Sequence, residues 1–599
     1  MNAPISTPSN ARRSPLLNVA QDPQVSALLA EAEREFLAEE GVNVGSIHEQ
    51  FRRPVERDFI RSEVPHTTLL FGGLTFRHER LIQGVFQSLG YNTKVVPTPN
   101  VDAFQKGKEY GNNGQCNPTY FTVGNLVQYL EHLRDDEGMT VQEINDSHIF
   151  LTAGACGPCR FGMYEAEYRL ALRNAGFDGF RVVLFQQKGG LTQGDMEAGL
   201  KMDLDFFLGL LNAMNMGDLM NEVSNQIRPF ETSPGQTDQV LGEALDFLHA
   251  TLRDHKKAEL DGDLGDWLKS RNKSTFDKTR NLVKFVDQLT TEDFREPLRQ
   301  VSAQFDQIEV DRLQPKPIVK ITGEFWAQTT DGDGNFNMFR FLQAEGAEII
   351  VEPIATWIAY MIWQGKIKSS DRRSIDEKQA PAKWYELRRI ADEQVAYLKK
   401  RGMLAVADKV FRREYERMRE ALGGTAHSIV DMWEMEDIAH EYYHSRSEGG
   451  EGHLEVSKNI YYTAKGLCHM VLSLKPFGCM PSTQSDGAQS AVVNNFKDMI
   501  FLPIETSGEG EINAHSRVQM ALGEAKAKAK SEFNEVLDAM EYSLDDLRAY
   551  VSKHDELRRP MYHVPHYEGL VGTAARFARH LSERMRDEGV RPGAPSTAA

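Results

Sequence analysis

HIFLTAG (His148–Gly154), then ACGPCRFG (Ala155–Gly162), then EAEYRLALRNAG (Glu165–Gly176) is the stretch whose reading decides the fold. Its first piece is a short apolar run bounded by polar residues and a glycine, the pattern of a buried strand. Its last piece repeats apolar residues at helical spacing, and FRVVLFQQ (Phe180–Gln187) follows as a second apolar run. Strand, cysteine-bearing turn, helix and strand in that order read as one unit of a parallel sheet covered by helices.

The same alternation extends outward. TTLLFGG (Thr67–Gly73) and NTKVVPTP (Asn92–Pro99) are two earlier strands, with helical stretches after each. From Gly194 to about Asp311 strand signals vanish and helical periodicity takes over. PIVKITG (Pro317–Gly323) restarts the pattern, followed by EIIVEPI (Glu348–Ile354), CHMVLSLKP (Cys468–Pro476) and MIFLPIE (Met499–Glu505). The expected fold class is therefore α/β: two open, mostly parallel Rossmann-like sheets with helical insertions and a helical C-terminus. The expected divisions are a tail and helical arm over 1–65, a first α/β domain over 66–193 and a helical insertion over 194–314. A second α/β domain with a helical excursion then covers 315–515, and a helical segment and tail cover 516–599. In such sheets ligands gather at the carboxyl ends of the strands.

Of 599 residues, 41% are hydrophobic and 26% charged, which is ordinary for a globular chain, and the formal net charge is −18. That balance argues against non-specific nucleic-acid or anionic-membrane binding, which needs a basic surface. No apolar run reaches the ~18 residues that span a bilayer, and the first residues lack the apolar core of a signal peptide. The expected compartment is the cytoplasm, where five cysteines point to metal or redox chemistry sooner than to disulfides.

Four of the five cysteines lie in Gly/Pro turns: Cys116 in GNNGQCNP, Cys156 and Cys159 in GACGPCRFG, and Cys479 in KPFGCMPS. Each turn precedes a helical stretch. A helix N-terminus stabilises thiolate, the form that binds iron, so these four are the candidate metal ligands. Cys468 opens an apolar strand and takes no role. Cys156–Gly157–Pro158–Cys159 also has the spacing of a thioredoxin-like dithiol, a reading that leaves Cys116 and Cys479 unexplained. HEYYH (His440–His444) has the spacing of a zinc hydrolase if it lies on a helix, with Glu434, Glu436, Asp437, Glu448 and Glu451 nearby as third ligands. DGDGN (Asp331–Asn335) lacks the glycine and glutamate of a calcium loop and reads as a polar turn. Ser507, Gly508 and Gly510 follow the last strand as candidate contacts for a cofactor phosphate or a cluster. Arg77, His78 and Arg160 are candidate anion contacts. Arg160 is favoured because its charge adjoins Cys159.

GQCNPTYFTVGNLV (Gly114–Val127), TAGACGPCRFGMYEAEYRLALRNAGF (Thr152–Phe177), LKPFGCMPS (Leu474–Ser482), IETSGEGEINAHSRVQMAL (Ile504–Leu522) and GLVGTAARF (Gly569–Phe577) resemble the iron–sulfur part of the large 2-hydroxyacyl-CoA dehydratase activators. More distantly they resemble the dehydratase subunits, and the likeness is scattered from about residue 66 to 580. The resemblance implies an oxygen-sensitive iron–sulfur cluster of the [4Fe–4S] kind. Cys116, Cys159 and Cys479 match the three family ligands, and Cys156 is an extra cysteine. It implies a separate activator ATPase of the sugar-kinase/Hsp70 fold, which drives low-potential electrons into this chain's cluster. It further implies an acyl-CoA whose thioester carbonyl is reduced to a ketyl, and leaves homo- or hetero-oligomers open. The chain has no phosphate loop of its own, since GDGN (Gly332–Asn335) lacks a following Lys-Ser/Thr. A zinc hydrolase and a non-catalytic cluster scaffold are the competing functions.

Overall fold

β7, Met470–Pro476, is buried along its whole length, as is β5, Ile318–Gly323. Both are continuous runs rich in branched apolar residues, as strands covered on both faces must be. They form the centre of the second of two four-stranded sheets in the computed structural model, which describes residues 56–154, 159–186, 199–260, 262–372, 387–447 and 450–593. The helical arm expected before residue 56 and Cys156 lie outside the described residues.

The first sheet holds β1 Thr68–Phe71, β2 Asn92–Val95, β3 His148–Gly154 and β4 Arg181–Gln186, in the order β2-β1-β3-β4. The second holds β5, β6 Glu348–Ile350, β7 and β8 Phe501–Thr506, in the order β6-β5-β7-β8. Every pairing is parallel: Leu69 sits opposite Thr93 and Ile149, and Ile321 opposite Leu472. All eight apolar runs read from the sequence are strands. The two sheets also repeat one topology, so β3 and β7 are equivalent third strands. In both, the strand order reverses between the first strand and the third, the point at which open α/β sheets bind ligands.

Residues 204–305 contribute five helices, beginning with Leu204–Ile227 and ending with Arg295–Phe305. The last segment is helical too, but its first helix, Glu511–Asp538, begins five residues before the expected boundary at Ser516. Gly510, with φ +91°, turns the chain into that helix, a conformation glycine adopts without strain.

Residues 58–599 form one compact unit, in which the C-terminal edges of the two sheets face each other. Asp331 accepts a hydrogen bond from Phe76 N (3.1 Å) and Asp333 from Val101 N (3.0 Å). The DGDGN turn of the second sheet thus places carboxylates on the N-termini of two helices of the first, where the helix dipole favours negative charge. The Phe121 and Trp326 rings meet across the same seam, tilted by 35° with centroids 5.5 Å apart. No helix among the described residues is long and apolar enough to cross a membrane.

Candidate functional site

Cys116 is the N-cap of the helix Asn117–Asp135, and Cys479 is the N-cap of the helix Met480–Asn495. Pro118 and Pro481 occupy the first turns, where a missing N–H costs nothing. Cys159 differs from the expectation. It caps only a short 3-10 turn, Arg160–Met163, before the helix Tyr164–Asn174, so a full helix dipole does not act on its sulfur.

The three turns meet in the seam. Asn117 N donates to Phe477 O (3.0 Å). A methyl group on Gly478 would lie 3.4 Å from Cys116 Cα and 3.7 Å from Arg160 Nη1. The Arg160 guanidinium donates to the carbonyl of Gly114, two residues before Cys116. Arg160 therefore ties the Cys159 turn to the Cys116 turn, with the Cys479 turn against both.

Residues distant in sequence hold these loops. Glu167 accepts hydrogen bonds from Asn112 N (3.1 Å), Asn112 Nδ2 (2.7 Å) and Gln115 Nε2 (3.1 Å), fixing the loop that leads to Cys116. The Cys116 sulfur lies within hydrogen-bond distance of Thr119 Oγ1 (3.2 Å) and Tyr164 OH (3.1 Å). From the second sheet come three glutamates. Glu324 follows β5 directly and accepts Ala327 N (3.0 Å). Glu451 accepts Phe325 N (2.6 Å). Glu455 takes hydrogen bonds from Ser482 Oγ (2.7 Å) and Ser485 Oγ, both on the helix that Cys479 caps.

The electrostatics differ from the expected stabilised thiolates. Burial raises the Cys116 thiol. Burial, then the charge of Glu451, pushes the Cys159 thiol up to about 12. Burial, then Glu324, Glu451 and Glu455, raises Cys479 further. Desolvation and surrounding carboxylates thus outweigh the helix termini and keep the thiols protonated. That counts against Cys159 as half of a thioredoxin-like pair, which needs a lowered thiol pKa. A metal centre binding here would have to displace those protons, so its capture by these thiols depends on pH.

The glutamates are raised as well: Glu324 by burial and then by Glu451, and Glu451 by burial and then by Glu455. For a carboxyl raised on folding, the protonated form favours the native state, so stability is full below the unfolded pKa and falls as pH rises toward the folded one. Glu324→Gln keeps an acceptor for Ala327 N and removes the charge. We expect it to stabilise the chain at pH 8 by about 1–3 kcal/mol, of the order that one to two pKa units represent. The gain should vanish below pH 4 in urea unfolding curves. An equal gain at both pH values would place its origin elsewhere.

Other expected site residues fall in different places. Gly508 packs on the Phe104 ring across the seam, Ser507 Oγ is turned back to donate to Glu509 O (2.6 Å), and Gly510 is exposed. Arg77 and His78 are buried in structural contacts: Arg77 lies 3.6 Å from Asp331, and His78 joins Thr75 (2.7 Å) and Asp218 (3.1 Å). The HEYYH segment is not helical. Its helix, Met432–Ala439, ends where His440 begins, and the chain turns. The His440 and His444 rings lie 5.5 Å apart on the surface. Glu434 is paired with Lys465 and Glu436 with Arg446, Glu448 lies outside the described residues, and Glu451 faces the cysteines. Cys468 sits two residues before β7, partly buried and away from the seam.

Among the described residues, no three His, Cys, Asp or Glu side chains stand close enough to chelate one metal ion. Ligands of a single zinc must all lie within about 2.3 Å of it, so this counts against a mononuclear site. An inorganic cluster is itself several bonds wide and takes its cysteines at greater separation. Cysteines on three touching turns, with hydroxyls beside one sulfur, are the donor type such a group takes. Sequence reading missed Tyr164, Glu167, Glu324 and Glu455. Only Glu324 carried a signal, standing directly after the glycine that ends a buried strand. No protein-family model, curated protein or solved structure matches the chain.

Proposed function

We propose that this chain is the cluster-bearing component of an ATP-dependent 2-hydroxyacyl-CoA dehydratase or reductase system, supplied with electrons by a separate activator ATPase. The observation that carries the reading is the meeting of the Cys116, Cys159 and Cys479 turns in one seam, with Arg160 bridging two of them. The family likeness supplies the reaction class.

In this reading Cys116, Cys159 and Cys479 hold a [4Fe–4S] cluster. When bound, such a group supplies single electrons at a potential set by net charge, burial and hydrogen bonds to its sulfurs. The residues of the chain set those conditions. Tyr164 and Thr119 offer hydroxyls to the Cys116 sulfur. Arg160 offers positive charge at the mouth, where an acyl-CoA carbonyl or phosphate would arrive. Glu324 and Glu451, raised by burial, hold protons beside the site and are suited to return one to a leaving hydroxyl.

The test is strictly anaerobic purification, with iron and sulfide analysis and electron paramagnetic resonance of the reduced protein. We expect brown protein with matching iron and acid-labile sulfide, and a paramagnetic signal that appears with ATP when a cognate activator is supplied. Colourless, iron-free protein would overturn the reading. A bound cluster that no activator reduces would reassign the chain as a scaffold.

A further inference from the structure

The second sheet carries a cavity of about 140 Å3 at the edge away from the cysteines. Glu348, the first residue of β6, and Arg312, which precedes β5, line it, whereas the cysteine turns follow the strands' other ends. The loop from Pro560 to Val564 and the first turn of the helix Thr573–Asp587 complete its lining, and it remains open to solvent.

Its walls are of two kinds. Ile227, Phe230 and Val310 form an apolar wall. The lining also holds two arginines that make no ion pair among the described residues. Arg312 is 8% exposed, and its guanidinium donates only to main-chain carbonyls, those of Leu557 (3.3 Å), Arg559 (2.9 Å) and Pro560 (2.7 Å). Its charge is therefore buried with no carboxylate at ion-pair distance, although Glu348 and Asp306 act on it from farther off. Arg576, on the first turn of the helix, has a buried Nε with no hydrogen-bond partner. The other charges leave this surplus in place. His427 is paired with Glu222, and Glu348 is the single further carboxylate in the wall, taking a hydrogen bond from Thr573 Oγ1 (2.7 Å). The lining itself holds two guanidiniums and one carboxylate, in a chain whose net charge is −18, while the Asp306 carboxylate, which accepts Met561 N, acts on Arg312 from outside the lining.

We propose that this cavity binds a small organic anion, its oxyanion set against Arg576 and Arg312 and its apolar body laid on Ile227, Phe230 and Val310. Burying a charge without a counter-ion is costly, and an anion entering here supplies the missing partner. Arg576 gives the directed hydrogen bonds, because its guanidinium is uncommitted. Arg312 gives fixed positive charge, because its donors hold the loop. The apolar wall selects a carboxylate with a hydrocarbon body over a fully hydrated inorganic ion.

The test is calorimetric titration of the full-length, anaerobically purified chain with benzoate, butyrate and inorganic phosphate at matched ionic strength. We expect at least one of the two organic carboxylates to bind more tightly than phosphate. Arg576→Gln should weaken that binding at least tenfold, and Val564→Trp, which fills the cavity, should abolish it. Melting curves of both variants identify any loss due to unfolding, and each variant serves where the other fails to fold. Phosphate binding as tight as the carboxylates would overturn the proposal. So would the absence of carboxylate binding, or binding indifferent to both variants. None of these outcomes depends on whether the chain holds a cluster.

Discussion

Cys116→Ala, purified without oxygen, is expected to retain less than about a tenth of the iron held by the unmodified chain. Losing even an outer partner of a metal ligand costs 10–100-fold in affinity, and on the proposed reading this change removes a ligand itself. Cys116 is a small buried residue whose side chain makes no capping bond to its helix; alanine leaves its main-chain contacts intact and removes the sulfur from beside the Thr119 and Tyr164 hydroxyls. Cys479→Ala should behave the same way, since its loop lies against Cys116. Cys468→Ala is the control. That residue precedes β7, outside the seam, and its loss should leave the iron content unchanged. Iron per chain and visible absorbance, read beside a melting curve, decide the matter. Full iron retention in Cys116→Ala would remove that residue from the ligand set and with it the three-cysteine reading.

The second large effect concerns the ion pair beneath β5. Lys320 is fully buried at mid-strand, and its Nζ donates to Glu352 Oε2 (2.7 Å). Glu352 also accepts from Thr356 Oγ1 (2.8 Å) and Tyr462 OH (3.3 Å). Burial alone would raise the Glu352 carboxyl, but Lys320 and Lys458 outweigh it and hold it down at about 2. Lys320→Met leaves that carboxylate without its nearest cation. Breaking a buried pair from one side costs about 3–5 kcal/mol, and we expect a loss of that size at pH 7 by urea unfolding. The sign with pH follows. In the unmodified chain a depressed carboxyl gives stability above its unfolded value of 4.5, and that stability fades as pH falls toward 2. In Lys320→Met only Lys458 still holds the carboxyl down, so the deficit should shrink as acid protonates it. Lys320→Met/Glu352→Gln should recover most of the loss. If the double variant is as unstable as the single, packing around β5 rather than charge sets the cost.

These two sites differ in how far they could be read from the sequence. The cysteines stand in Gly/Pro turns beside strands, a pattern visible along a few residues, and parallel sheets bring such turns to one edge. The ion pair joins residues 32 apart, and nothing in PIVKITG marks its lysine as buried. The HEYYH segment shows the opposite failure. Five residues can match a pattern while the helix that would give the pattern meaning stops at Ala439.

The sequence by itself determined the eight strands, the all-helical stretches between them and the three cysteine-bearing turns, because these follow from local spacing of apolar residues, glycine and proline. Only the tertiary structure decided that the two sheets face each other edge to edge and that Glu324, Glu451 and Glu455 surround the cysteines. It alone decided that the thiols are held protonated, and that two arginines share a cavity at the far edge. Burial and charge act through space between residues hundreds of positions apart, and no local pattern records which of them folding will bring together.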